Sequence, residues 1–238
     1  MTHAIPHIIL SSRLLSTEGV ALFLLAVVLA VLVWGAANVC SQLFMKVLCR
    51  GNKQKKQIAL TFDDGPSGYT GKILEILAKH KVQATFFVIG RHAEKAPELL
   101  REIQNQGHLI GNHTYSHHYF FDLYTKKKMA KDIARANSVI ADITGETPQY
   151  FRPPYGVTNP TLAKAVKITG LKAIGWSLRS LDTVKSAAKL RKKLLRKTGS
   201  GKIILFHDTM PATVEILDNY ITEVKNKGYK VVPLHELF

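Results

Sequence analysis

The chain has 238 residues, enough for one domain with a full core and an appendage. It carries 33 Lys and Arg against 17 Asp and Glu, a formal net charge of +16. Its 2 cysteines, Cys40 and Cys49, imply no disulfide framework and do not indicate a redox compartment. No nucleic-acid motif or run of aromatics accompanies the bases, so the charge points to an anionic lipid surface or acidic wall polymer rather than nucleic acid.

In chain order, residues 1–19 form a weakly charged lead-in with Arg13 and Glu18. Residues 20–37, VALFLLAVVLAVLVWGAA, carry no charge and approach the ~20 residues that a bilayer span needs. The lead-in is long for a signal peptide, although Gly35 and Ala37 would serve as a cleavage site, so the expectation is an uncleaved anchor over 20–40. A basic juxtamembrane linker, 41–56, precedes one domain over 57–238. Lys46, Arg50, Lys53, Lys55 and Lys56 follow the span, and the positive-inside rule places them in the cytoplasm.

Within the domain, β-type runs alternate with helical ones. Strands are predicted at 57–62, 83–89, 108–112, 149–152, 171–177, 202–206 and 229–233. Helices are predicted at 70–80, 95–106, 125–143, 160–168, 184–197 and 212–227, with Gly170, Gly201 and Gly228 placed as C-terminal stops. In VKSAAKLRKKLLRK, Val184, Ala187, Ala188, Leu190, Leu194 and Leu195 would share the apolar face of a helix, with the bases on the other. Alternation of this kind predicts a parallel sheet with helical crossovers, a deformed (β/α)7 barrel preceded by one N-terminal transmembrane helix.

Polar clusters fall at the C-terminal ends of the predicted strands, the face where barrels carry their chemistry. Asp63-Asp64 follows the first, His113 and His117 the third, Arg152 to Tyr155 the fourth, Asp182 the fifth and His207-Asp208 the sixth. Asp63-Asp64-Gly65 reads as a turn, for which one carboxylate suffices; two adjacent ones repel unless a positive partner stands by. His113 and His117, at i and i+4, read either as surface histidines or, on one helical turn, as two donors to one metal. Two His and one Asp make the open three-ligand set of a catalytic metal site. The ion's charge would let the second aspartate stay ionised beside the first and act as a base.

These motifs together resemble the polysaccharide deacetylase (NodB-homology) family, carbohydrate esterase family 4. TFDDG at 61–65, HTYSH at 113–117, RPPY at 152–155 and LFH at 205–207 match family motifs in order, and the resemblance spans nearly all of 57–238. It implies that Asp64, His113 and His117 hold one divalent ion, Zn2+ by preference. It implies Asp63 as general base with Arg152 orienting it, Tyr155 N–H on the oxyanion, and His207 as general acid paired with Asp182. The pocket would be walled by Pro154, Tyr155, Trp176 and Leu205. The fourth motif departs: WSLRSLDT, 176–183, has Arg179 where the family has an acid and Thr183 where it has a tryptophan.

The resemblance therefore implies a metal-dependent hydrolase that removes N-acetyl groups from amino-sugar polymers, peptidoglycan ahead of chitin-type oligosaccharides. The alternatives are an O-acetyl esterase on acetylated xylan and an inactive, membrane-tethered glycan-binding protein. Such polymers are assembled outside the cell, which sets the expected envelope-side location against the positive-inside reading.

Overall fold

The computed structural model describes residues 17–238; the lead-in expected at 1–19 lies, up to residue 16, outside the described residues. The elements are α1 (Thr17–Ala37), β1 (Gln57–Asp63), α2 (Thr70–His80), β2 (Thr85–Val88), α3 (Gly90–Lys95), α4 (Pro97–Asn105), β3 (Leu109–Asn112), α5 (Lys126–Thr144) and β4 (Tyr150–Phe151). There follow α6 (Pro160–Thr169), β5 (Lys172–Ala173), β6 (Leu178–Arg179), α7 (Ala187–Lys197), β7 (Lys202–His207), α8 (Pro211–Asn226), β8 (Lys230–Val231) and α9 (Leu234–Leu237).

β1 is buried from Ile58 to Asp63, as expected for a central strand covered on both faces. The sheet order is β5-β4-β3-β2-β1-β7-β6, with β8 paired to β1. Every strand pair is parallel, and helices cross over between strands, giving the open, curled barrel that the alternation predicts.

Side chains on a strand alternate between faces, and this sorts the core. Ile58, Leu60 and Phe62 join the outer layer against the helices, with Ile204, Phe206 and Tyr220. Phe62 stacks between Phe86 and Phe206, with ring centroids 5.0 and 5.7 Å away. Ala59 and Ile203 point the other way, into an inner cluster plugged by Leu234 and Leu237 of α9. Thr61 and Asp63 continue that inward series. β1 and β7 run in register, Asp63 opposite His207, so both inward series end at one level.

Three predicted elements differ. The helix expected over 95–106 is α4, opened at its first position by Pro97, which lacks an N–H, and a separate short helix, α3, precedes it. The strand expected over 171–177 ends early, and β6 pairs with β7 instead. Gly175 lies where a Cβ would meet Cys49, Val39 and Val47, so the close approach of that segment requires glycine there. The helix expected over 184–197 begins at Ala187 and buries Ala187, Leu190 and Leu194; Val184 and Ala188 are exposed instead of lying on that face.

α1 is 21 residues long and, Gly35 apart, none of its residues is buried. At 1.5 Å per residue it is about 30 Å, the thickness of a hydrocarbon core. The stretch after it, expected as a linker, is docked on the domain. Leu48 N–H donates to Ala173 O at 2.9 Å and Leu48 O accepts from Gly175 N–H at 2.9 Å, extending the sheet past β5. Arg50 bridges Lys202 at the start of β7. Cys40 and Cys49 form a disulfide, so the cysteines that suggested no framework close one loop here. Val39 and Val47 are buried among side chains of α5 and α6, which accounts for the docking.

Candidate active site

Asp63 and Asp64 leave the end of β1 in different directions, because Asp64 takes φ 77°. Positive φ at a non-glycine residue is strained and recurs at functional loops. Of the seven such residues described, Asp64, Thr114, His117, Tyr155 and Leu181 stand in or next to the motif loops of this rim. Gly65 must be glycine here: a Cβ would collide with the Asp208 carboxylate.

Asp63 is buried and turned inward against Arg152. The Arg152 Nη1 donates to Asp63 Oδ1 at 2.7 Å and to Thr61 Oγ1 at 2.8 Å. Its Nη2 donates to Gly175 O at 2.9 Å and its Nε to Ile174 O at 3.3 Å. The guanidinium also stacks on the Phe87 ring at 4.1 Å. A fully buried cation is thus paired and donates from all three of its nitrogens, the condition under which burial of charge is tolerated. Asp63 Oδ2 is left toward the cavity, 3.8 Å from His113 Nε2.

The two imidazoles meet without a helix. HTYSH is irregular, and Thr114 at φ 66° and His117 at φ 42° turn the chain so that the rings approach to 4.7 Å. This corrects the helical-turn expectation; the i, i+4 spacing works through a bent loop. Asn112, at the end of β3, accepts from Thr114 N–H at 2.7 Å, and Asp132 of α5 accepts from Tyr115 N–H at 2.8 Å. His113 Nδ1–H donates to Arg152 O at 2.8 Å, which leaves Nε2 bare.

Asp64, His113 and His117 bring their ligand atoms within 4.8 Å of one another. Asp64 Oδ1 is 3.5 Å from each Nε2. Tetrahedral zinc with bonds of about 2.0–2.1 Å sets its ligand atoms roughly 3.3 Å apart, so the donor set fits a divalent ion. Burial would raise the Asp64 carboxyl, but His113, His117 and His207 outweigh it and hold it well below the carboxylate range. Burial and the neighbouring His113 pull the His117 imidazole down to about 4, which keeps it neutral and able to ligate.

Across the cavity, Asp182 Oδ1 accepts from His207 Nδ1–H at 2.8 Å, while Oδ2 accepts from His207 N–H and from Thr213 Oγ1, both at 2.7 Å. Nε2 of His207 is therefore the nitrogen free to exchange a proton. Burial would lower this imidazole, but the hydrogen bond and charge of Asp182, helped by Asp63 and Asp64, raise it above its ordinary value.

These groups line one cavity of about 180 Å³ together with Pro153, Tyr155, Gly156, Trp176, Arg179, Thr183 and Leu205. Pro153 lines the cavity in the place expected for Pro154; both prolines are buried, and Pro154 opens the turn that carries Tyr155. Gly156, at φ 72°, lies against the Trp176 ring, where a Cβ would collide. The Tyr155 ring leans on His117 at 4.8 Å. Thr183, where the resemblance has a tryptophan, is exposed and lines the cavity. Arg179 brings a positive charge whose guanidinium has no hydrogen-bond or ion-pair partner among the described residues; only its carbonyl is engaged, by Lys193. Sequence reasoning missed Thr61, Asn112, Asp132 and Thr213. Thr61 and Asn112 were signalled as polar residues inside or ending apolar strands, whereas Asp132 and Thr213 sit in helices that only the fold brings close.

The comparisons with known proteins agree with this geometry. Residues 50–174 match the family model described as polysaccharide deacetylase. A peptidoglycan-N-acetylglucosamine deacetylase of Bacillus cereus is 35% identical over 194 residues, covering 79% of this chain and 70% of that protein. The peptidoglycan-N-acetylmuramic acid deacetylase PdaA of Bacillus subtilis is 34% identical over 193 residues, covering 79% and 73%. The crystal structure of a peptidoglycan N-acetylglucosamine deacetylase in complex with 4-naphthalen-1-yl-N-oxidanyl-benzamide superposes with a TM-score of 0.77 at 34% identity, covering 81% of this chain and 92% of that one. A parallel curled barrel, the ordered motifs and relatives at this identity lead to one conclusion: the chain belongs to the polysaccharide deacetylase family, carbohydrate esterase family 4.

Proposed function

We propose that the protein is a metal-dependent deacetylase that hydrolyses N-acetyl groups on the amino sugars of peptidoglycan, tethered to the membrane by α1 with its domain on the envelope side. One observation carries this reading: a metal-type donor set, an oriented carboxylate and an imidazole acid line a single cavity. Asp64, His113 and His117 would hold the ion, which supplies Lewis acidity and a more acidic water.

The chain's own residues supply the rest. Arg152 clamps one oxygen of Asp63, so the other takes the proton of the attacking water. Water adds to the acetyl carbon, and the Tyr155 N–H donates to the oxygen that gains charge. His207, held by Asp182, gives its Nε2 proton to the departing nitrogen. The carbon–nitrogen bond then breaks, leaving acetate and a free amine. Trp176 and Leu205 present apolar surface to the acetyl methyl group.

The location rests on the disulfide. Disulfides persist in oxidising compartments and are rare in the cytosol, which supports the envelope side. Arg50, one of the bases behind the opposite reading, is engaged in the fold, donating to Ser200 O.

Acetate release from N-acetylated peptidoglycan fragments, chitin oligomers and O-acetylated xylan, with metal content measured alongside, tests the proposal. Release from peptidoglycan with about one ion per chain, both lost in His113→Ala, is the expected result. Release only from xylan would make it an O-esterase. No release with metal bound would leave a glycan-binding protein.

A further inference from the structure

We propose that the rim carrying the site is itself a bilayer-docking surface, formed by Tyr119, Phe120 and Leu123 beside Lys126 and Lys127, and seated at headgroup level by the end of α1. This rests on the anchor reading above.

The helix does not hang from a flexible tether. Its last carbonyls, which a helix leaves unpaired, are taken by the rim. Ala36 O accepts from Thr158 N–H at 3.0 Å, and Gly35 O accepts from Thr158 Oγ1 at 3.1 Å and Ser41 Oγ at 2.8 Å. Thr158 follows closely on Tyr155, whose ring lines the cavity. The apolar run of α1 continues to Ala37, and Trp34 stands 55% exposed in its last turn, where interfacial tryptophans gather. A span ending there sets residues 155–158 at the headgroups.

The adjoining loop is built to meet the same layer. Asn159 Nδ2 donates to Asp122 O at 2.8 Å, tying residues 119–124 to this loop. Phe121 is buried with Val39, just past the helix. Its neighbours turn out: Tyr119 is 72% exposed, Phe120 54% and Leu123 74%. The rings are contiguous, Tyr119 lying 5.0 Å from Phe120 and 5.9 Å from Tyr155. Exposed apolar surface of this kind calls for a cover, and it continues the rim that caps the apolar helix. Lys126, Lys127 and Lys128 open α5 with no acid in the first turn, against the helix dipole. Lys128 is stacked on Tyr124 at 3.5 Å, whereas Lys126 and Lys127 are exposed and suited to anionic headgroups. A rim so seated takes its acetylated sugars from the membrane surface, as lipid-tethered glycan, rather than from distant strands.

The full chain has no free cysteine, so a single thiol can be placed at will. Leu123→Cys, and Glu146→Cys near the opposite end of the barrel, would each be labelled with a thiol-reactive fluorophore. Each is then reconstituted in vesicles of phosphatidylethanolamine and phosphatidylglycerol containing doxyl-labelled lipid. Strong loss of fluorescence at 123 and none at 146 is expected. Equal fluorescence at both, in protein that resists carbonate extraction, overturns the docking surface and leaves the anchor intact. Protein extracted by carbonate overturns both. The triple variant Tyr119→Ser, Phe120→Ser, Leu123→Ser should lose turnover on a lipid-tethered acetylated amino sugar and keep it on a soluble oligosaccharide. Equal loss on both would make the patch a sugar platform and overturn the proposal.

Discussion

His207 and His108 are both buried, at opposite ends of the barrel, and their surroundings drive them in opposite directions. His207 has Asp182 on Nδ1 and is raised despite its burial. Among the described residues His108 has no carboxylate partner: its Nδ1 accepts from Ala84 N–H at 3.2 Å, its Nε2 has no hydrogen bond, and burial pulls it down to about 4. It lines a cavity of about 360 Å³, twice the volume of the one that holds Asp63, Asp64 and His207, with Gln104, Thr144 and His235. Volume therefore does not identify the site. What separates the two histidines is coupling between charged groups: a carboxylate partner raises an imidazole that burial alone would lower.

The upper rim should fail in proportion to that coupling. Asp63→Asn removes the proton acceptor but keeps the shape, so kcat should fall by about 10²–10⁴-fold with metal retained. Metal analysis beside acetate release checks this, and a wild-type rate would place the base elsewhere. Arg152→Met strands a buried carboxylate and should cost roughly 3–5 kcal/mol in chemical denaturation. Loss of activity with unchanged stability would show that the pair is not a structural clamp.

Asp182→Asn tests the comparison directly. In the proposed reaction His207 is protonated in order to donate, and its raised pKa favours that form above the ordinary imidazole value near 6.5. Removing the Asp182 charge should move the basic limb of the pH–kcat profile toward acid. An unmoved limb would assign it to another group.

At the lower end the sign reverses and concerns stability. His108 binds its proton less readily folded than unfolded, so protonation favours the unfolded chain. Stability linked to it should be lost as pH falls from 6.5 toward 4, and His108→Gln should flatten that slope without touching kcat. The smallest effect is expected at Arg179, which lines the cavity and whose guanidinium has no hydrogen-bond or ion-pair partner among the described residues. Arg179→Ala should raise KM for a carboxylate-bearing muramic substrate more than for a neutral acetamido sugar, with kcat little changed. Equal changes on both would deny it a part in selection.

Local chemistry was enough for much of this protein. Alternation of strand and helix patterns put Asp63 and His207 just past the C-terminal ends of predicted strands, and the ordered motifs carried the resemblance that implied the donor set, because both depend on short-range pattern and residue type. Apolar length alone marked α1. What required the tertiary structure lay in contacts between distant residues. Thr61 and Asp132 acquire their roles from partners on other elements, Arg152 for the first and the bent HTYSH loop for the second. Pro153 rather than Pro154 faces the cavity because the turn at Tyr155 is left-handed. The strand expected over 171–177 stops at Ala173, and from Ile174 to Gly175 the backbone pairs with Leu48, a contact that exists only once the segment beyond α1 has docked. The Cys40–Cys49 pairing and the seating of Thr158 on the end of α1 have the same origin: burial of Val39 and Val47 against α5 and α6, a long-range apolar contact that no local pattern encodes.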